Sequence, residues 1–208
     1  MVSGTLYVMS ISPRSSWLPA LAEFCGHNIK VVEHTDDPNF KSLFPLGKTP
    51  AFIADDGEKV TEILAIVEYF IINSPDETKA GFAGKSNKEK VQHLRWMSYI
   101  NSDFITPLVK MAFSSDDNTK AEGRTQFADQ ASYIDTILAE GKTSFLELLI
   151  EFLQLIFLHT RFCKFLHALV LIFLNTKTLS NTLMQLSHMN LLQIDQTFSH
   201  YLYIIYFK

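Results

Sequence analysis

The run Ser12-Pro13-Arg14-Ser15-Ser16 places three hydroxyls and one guanidinium within five residues, just ahead of the apolar stretch "WLPALAEF". Serines before a helix cap its backbone N–H groups, and an arginine among them can pair with a carboxylate or stand alone at the surface. Two further stretches carry similar potential. In "FPLGKTPAF", residues 44–52, Thr49-Pro50 opens an apolar, strand-like run. A proline cannot donate to a sheet ladder, so a strand that opens with one must gain something from it. In "TEILAIVEYF" Glu62 stands at the start of a helical pattern, where the helix dipole favours an acid. Other chemistries find no support: Cys25 and Cys163 are far apart, and His159, His167, His188 and His200 lack metal-ligand spacing. No glycine-rich phosphate loop or Ser-His-Asp arrangement is recognisable.

The elements that must position these residues read in a clear order. Residues 4–11 form a strand by their Leu, Tyr, Val and Ile content, 12–26 a loop and a helix ending at Gly26, and 28–34 an alternating strand. Strand, helix, strand is a parallel crossover. A short helix in "DPNFKSLFPLG" follows, then two short strands around the turn "DDG", then a helix over 62–74 with Ile63, Ile66, Val67 and Phe70 on one face. The order is βαβαββα. Residues 73–88 are polar and turn-rich and read as a linker. Beyond it, 88–113 predicts a long helix with Val91, Leu94, Trp96, Met97 and Ile100 as apolar positions, bent or ended by Pro107. A further helix over 119–140 carries Phe127, Ala131, Ile134 and Leu138 on one face. Trp96 reads as a core or domain-interface residue, and Asp103 as a capping or interhelical one.

Composition bounds the whole. A chain of 208 residues that is 47% hydrophobic can build one ample core or two small ones, and a net charge of -4 offers no general attraction for phosphate backbones, so no direct nucleic-acid partner is expected. The amino terminus "MVSGTLYVMSI" lacks the pattern of a signal peptide, which points to a cytoplasmic setting. A seam falls near residue 145. All 8 glycines and all 7 prolines precede it, whereas residues 145–208 hold 30 Leu, Ile or Phe in 64 positions and only seven charged residues. Such a composition fits a segment read from a different frame or an unspliced intron. A membrane anchor fits less well, because Glu147, Glu151, Arg161 and Lys164 interrupt the run and "FLHALVLIFLNT" is shorter than the roughly 20 residues a span needs.

The βαβαββα order with Thr-Pro at the start of the third strand, linked to a helical region, resembles the glutathione S-transferase architecture. The resemblance implies a thioredoxin-like α/β domain over 3–76, a partial all-α domain over 88–144, and an atypical tail over 145–208. It also implies that Thr49-Pro50 is a cis bond that turns the backbone toward a bound thiol peptide. Within the superfamily, "GTLYV", "SPR", "KVV", "FPLGKTPAF", "TEILAIVEYF" and "RWMSYINSDF" are similar in order and spacing to the amino-terminal domain of translation elongation factor 1-gamma over about residues 3–140. The fungal forms are most similar.

The resemblance names the candidate glutathione-binding residues: Ser12, Arg14, Thr49, Pro50 and Glu62. A Ser, Tyr or Cys near the first helix holds the thiolate in the superfamily, since a hydroxyl donor and a helix amino terminus both lower a thiol pKa. Ser15 and Ser16 share that neighbourhood with Ser12. Glu62 matches the acid beside the γ-glutamyl end, but the serine that normally follows is Ile63 here. The lost hydroxyl removes a hydrogen bond to a carboxylate, about 1.5–3 kcal/mol. Two functions follow. The first is a non-catalytic structural subunit of the elongation factor 1 complex that docks its nucleotide-exchange subunit. The alternative is a transferase that conjugates glutathione to small electrophiles. Glutathione enters as a ligand and no cofactor is expected; the resemblance also allows a dimer and implies no membrane partner.

Overall fold

A computed structural model describes residues 1–140, and the stretch 145–208, with the expectation about its origin, lies outside the described residues. Four strands form one sheet in the order β2-β1-β3-β4: β1 Ser3–Val8, β2 Asn28–Glu33, β3 Ala51–Ala54 and β4 Lys59–Thr61. β1 runs parallel to β2 and antiparallel to β3, and β3 is antiparallel to β4. The crossover and the "DDG" hairpin stand as the sequence indicates, and the arrangement is the thioredoxin-like one that the resemblance implies.

Period-two alternation divides the sheet's side chains between two clusters. Leu6 pairs with Phe52 in register, and both join Val8 and Ala54 in the main core; Tyr7 pairs with Ala51, and both join Phe40 and Phe44 in a smaller cluster. Two helices cover the main-core face, α1 Leu18–Phe24 with Leu18, Leu21 and Ala22, and α3 Ile63–Ile72 with Ile63, Ile66, Val67, Phe70 and Ile71. The spacing i, i+3, i+4, i+7, i+8 on α3 is one helical face, as the sequence indicates. Phe52 and Phe70 are fully buried and meet edge to face with centroids 5.2 Å apart. Burying each such side chain contributes about 1.5–3 kcal/mol.

Helix α1 starts at Leu18, after residues 9–17, which are a run of turns. It ends as expected. Gly26 takes φ +78°, its N–H bonds to the Glu23 carbonyl at 2.9 Å, and the His27 N–H bonds to the Ala22 carbonyl at 2.9 Å. That pair of bonds needs a left-handed residue, which glycine supplies without a Cβ penalty. Helix α2, Phe40–Leu43, is one turn long and supplies Phe40 to the smaller cluster.

The stretch 73–88 is more ordered than a linker. It holds a short helix α4, Glu77–Ala80, whose Asp76 side chain accepts the Thr78 and Lys79 N–H groups, and a 3-10 turn at Gly81–Ala83. Helix α5, Asn87–Tyr99, then opens with a reciprocal capping box between Ser86 and Glu89. Trp96 and Met97 on α5 are buried, whereas Val91 and Leu94 are 63% and 61% exposed, so the predicted apolar stripe is only half used. Met97 joins the α/β core; Trp96 instead packs within the helical part against Tyr99 and Tyr133. After α5 the chain widens into a π-helical turn, Ile100–Phe104, and continues as α6, Ile105–Phe113. Pro107 therefore neither ends nor breaks the run. Proline lacks an N–H and clashes with the carbonyl four residues back, and the wider turn just upstream accommodates it. Helix α7, Asp117–Ala139, packs on α6, burying Phe127 and Ile134, with Ala131 half-buried; the Leu138 side chain lies outside those described. Among the described residues no helix is long and apolar enough to cross a membrane.

Candidate functional site

The sheet register gathers the candidate residues at one end. Tyr7 pairs with Ala51, and Ala51 with Thr61. The residues just beyond these pairs are therefore the last of β1 and the loop 9–17, Thr49-Pro50 entering β3, and Glu62 leaving β4. Three stretches distant in sequence meet there, and α3 begins among them. Thr49-Pro50 is a cis peptide bond. Glu62 is exposed and takes φ 68°, ψ 127°, and it is the residue from which α3 starts. A side chain in that region costs about 1–3 kcal/mol of backbone strain, and such strain persists where the surroundings impose it.

Ile63, the next residue, is only 5% exposed and belongs to the main core. Its side chain is thus a packing element of α3. The hydroxyl expected at this place in the superfamily is absent, and core burial, in keeping with Ile63 on the apolar helix face, gives a reason for isoleucine.

The hydroxyls of loop 9–17 separate by what each one bonds. Ser15 is fully buried and closes the loop on itself, accepting the Met9 N–H at 3.1 Å and donating to the Met9 carbonyl at 2.9 Å. Ser10 donates to the Glu33 carboxylate, which also accepts the Ser10 N–H at 2.9 Å and lies near His34. The Ser16 Oγ is buried without a hydrogen-bond partner among the described residues. Ser12 shares with Ser16 a hydroxyl proton without a described acceptor, but differs from it in meeting a backbone donor. Its Oγ accepts the Arg14 N–H at 3.3 Å, its residue is half-buried, and its hydroxyl proton has no protein acceptor among the described residues.

Tyr7 and Cys25 are the remaining side chains of the types that hold a thiolate. Tyr7 donates its phenol proton to Asp37 at 2.8 Å, and burial together with that bond pushes its pKa up to about 12. Its proton is committed. Cys25, at the C-cap of α1, is buried, and burial raises its thiol to about 11, well away from the reactive range.

Arg14 makes no ion pair with a carboxylate among the described residues. Its Nη2 instead crosses to the helical part, 3.5 Å from the Asn101 carbonyl in the π turn and 3.3 Å from the Thr106 Oγ1 on α6. Asp103 accepts a bond from Ser102 at 2.8 Å. Sequence reasoning singled out the acid of "NSDF" and missed both acceptors. A backbone carbonyl carries no sequence signal, and Thr106 is one more polar residue on a helix.

Three comparisons fit this geometry. Residues 2–71 match the family described as glutathione S-transferase, N-terminal domain. Glutathione S-transferase Y-2 of Pichia kudriavzevii is 31% identical over 144 residues, covering 68% of this chain and 74% of that protein. The crystal structure of a glutathione S-transferase from the same organism superposes with a TM-score of 0.62 at 44% identity, over 67% of this chain and 70% of that one. Elongation factor 1-gamma 2 of Saccharomyces cerevisiae is 39% identical over 111 residues, 53% of this chain but 27% of that protein. The elongation-factor likeness therefore covers a shorter stretch than the transferase likeness. With a thioredoxin-like sheet, a cis proline at the start of β3 and a helical domain behind it, this chain belongs to the glutathione S-transferase family.

Proposed function

We propose that the open end of the sheet binds glutathione and that Ser12 holds its thiolate for attack on a small electrophile. The observation that carries this reading is the state of the Ser12 hydroxyl, a half-buried loop hydroxyl that accepts the Arg14 N–H and whose proton no described protein group accepts. In the reaction, the thiol proton passes to solvent and the sulfur forms a bond to the electrophilic carbon. With an aryl chloride as electrophile the carbon–chlorine bond breaks and chloride leaves. Glu62 is assigned the γ-glutamyl amino group, and Thr49-Pro50 the peptide backbone. Ile63 supplies no hydroxyl to the γ-glutamyl carboxylate, so affinity is weaker than a serine there would allow. The similarity to glutathione S-transferase Y-2 over two thirds of the chain supports this order of preference over the structural-subunit reading. Conjugation of glutathione to chlorodinitrobenzene, followed by absorbance, tests it. A rate above the uncatalysed one that falls at least tenfold in Ser12→Ala is expected, and a rate equal to the uncatalysed one refutes it.

A second reading rests on the elongation-factor likeness. Here the same α/β and helical surface docks the exchange-factor subunit of elongation factor 1 through an apolar patch with a polar rim. Co-purification with that subunit, surviving moderate salt, is its expected outcome. A folded protein that fails to co-purify leaves the likeness as one of fold.

A further inference from the structure

One side chain of the loop 9–17, Arg14, reaches across to the helical part. Arg14 Nη2 lies 3.3 Å from the Thr106 Oγ1 and 3.5 Å from the Asn101 carbonyl, while the backbone N–H of the same Arg14 donates to the Ser12 Oγ at 3.3 Å. Whatever fixes the guanidinium therefore restrains the backbone that orients Ser12. Its receiving pair is built by a local irregularity of the helix. The run 100–104 is π-helical, with the Ile105 N–H bonding to the Ile100 carbonyl, and Pro107 follows two residues on. A π turn displaces carbonyls from their usual intrahelical donors, which leaves the Asn101 carbonyl able to face a side chain from another element. Thr106, exposed on the first turn of α6, stands beside it.

We infer that Thr106 is a positioning residue for thiol chemistry: it holds Arg14 across the cleft, and through the Arg14 backbone it sets the direction in which Ser12 offers its proton. This rests on the glutathione-transferase reading above. Thr106 touches neither the thiol nor the electrophile, and its effect passes through Arg14. Removing its hydroxyl leaves the guanidinium with the Asn101 carbonyl as its remaining acceptor. The loop then samples orientations in which Ser12 is turned from the sulfur. Loss of one such bond corresponds to a fall of about threefold to tenfold in kcat, with KM for glutathione little changed, since binding rests on the other stretches of the site.

The test compares full-length wild type, Thr106→Val, Thr106→Ser and Arg14→Met, each checked for an unchanged melting temperature. The readouts are kcat and KM for conjugation and the thiolate absorbance of bound glutathione at fixed pH. Thr106→Val should lower kcat and the thiolate fraction about threefold to tenfold, and Thr106→Ser, which keeps an acceptor, should restore both. In the Arg14→Met background Thr106→Val should add nothing, because the path is already cut. Wild-type kcat and thiolate signal in Thr106→Val, or a full additional loss in the double variant, overturns the positioning role while leaving the transferase reading intact. A wild type that neither binds glutathione nor forms product overturns both.

Discussion

The two ends of the sheet are built differently. At one end the chain bonds to itself. The Val2 N–H donates to His27 Nδ1 at 3.2 Å, His27 Nε2 donates to the Phe70 carbonyl at 2.7 Å, the Asn28 N–H reaches the Val2 carbonyl at 3.0 Å, and the Asp55 N–H reaches the Ser3 carbonyl at 3.0 Å. β1, β2, β3 and α3 are stitched there by backbone groups and an imidazole. At the other end stand an exposed glutamate at positive φ, a cis proline, a serine with an uncommitted proton and one long-reaching arginine. The stitched end contributes stability, and on the glutathione-transferase reading the open end keeps polar groups and a strained backbone for a ligand.

The largest expected effect comes from treating the open end as if it were only a site. Ile63→Ser restores the hydroxyl that the family carries and this chain lacks, and the sequence alone predicts about tenfold tighter glutathione binding from one charge-assisted bond. Ile63 is nonetheless core. Its replacement removes buried methyl groups and places a hydroxyl beside apolar neighbours, which costs about 2–5 kcal/mol of stability, read from urea unfolding. Unchanged stability would show that Ile63 does not help to hold α3.

A smaller and opposite effect is expected one residue earlier. Glu62→Gly relieves the positive φ and should stabilise the fold by about 1 kcal/mol while weakening glutathione binding. A variant that is both less stable and fully competent to bind would contradict the assignment of strain and function to the same residue.

The stitched end predicts a pH dependence. His27 accepts at Nδ1 and donates at Nε2, so its bond from the Val2 N–H requires the neutral ring, and burial holds its pKa below the ordinary value. His93, 3.2 Å from Glu68 between α5 and α3, is also shifted down, chiefly by burial and against the pull of that carboxylate. With the folded pKa below the unfolded value of about 6.5, the unfolded chain takes up protons first. Stability is therefore full above about pH 6.5 and falls as the pH drops through and below that value. Melting temperatures at pH 7.5 and 5.5 should show the loss, and His27→Gln should reduce it. An equal loss in the variant would place the titration elsewhere.

Much of this contrast was legible in the sequence, and the rest failed for identifiable reasons. The α3 face of Ile63, Ile66, Val67 and Phe70, the Gly26 stop and the Thr49-Pro50 position follow from periodicity, left-handed backbone and family likeness. The exposure of Val91 and Leu94 did not, because α5 meets the α/β core through Met97 and needs only part of its apolar stripe. The π turn before Pro107 was hidden because a proline signals disruption without saying whether the helix will end or widen. The positive φ of Glu62 was hidden because such angles are ordinarily glycine's. The ranking of functions was also beyond the motifs quoted, since transferases and elongation-factor domains share this framework and differ in how far the likeness extends.

The central claim is that the open end binds glutathione, and calorimetric titration of the full-length chain tests it most directly. The expected result is saturable one-site binding that weakens at least tenfold in Glu62→Ala. Ser12→Ala should retain most of the affinity and lose the thiolate absorbance of the bound peptide. Absence of saturable binding by a folded wild type, or binding indifferent to both substitutions, would contradict the account.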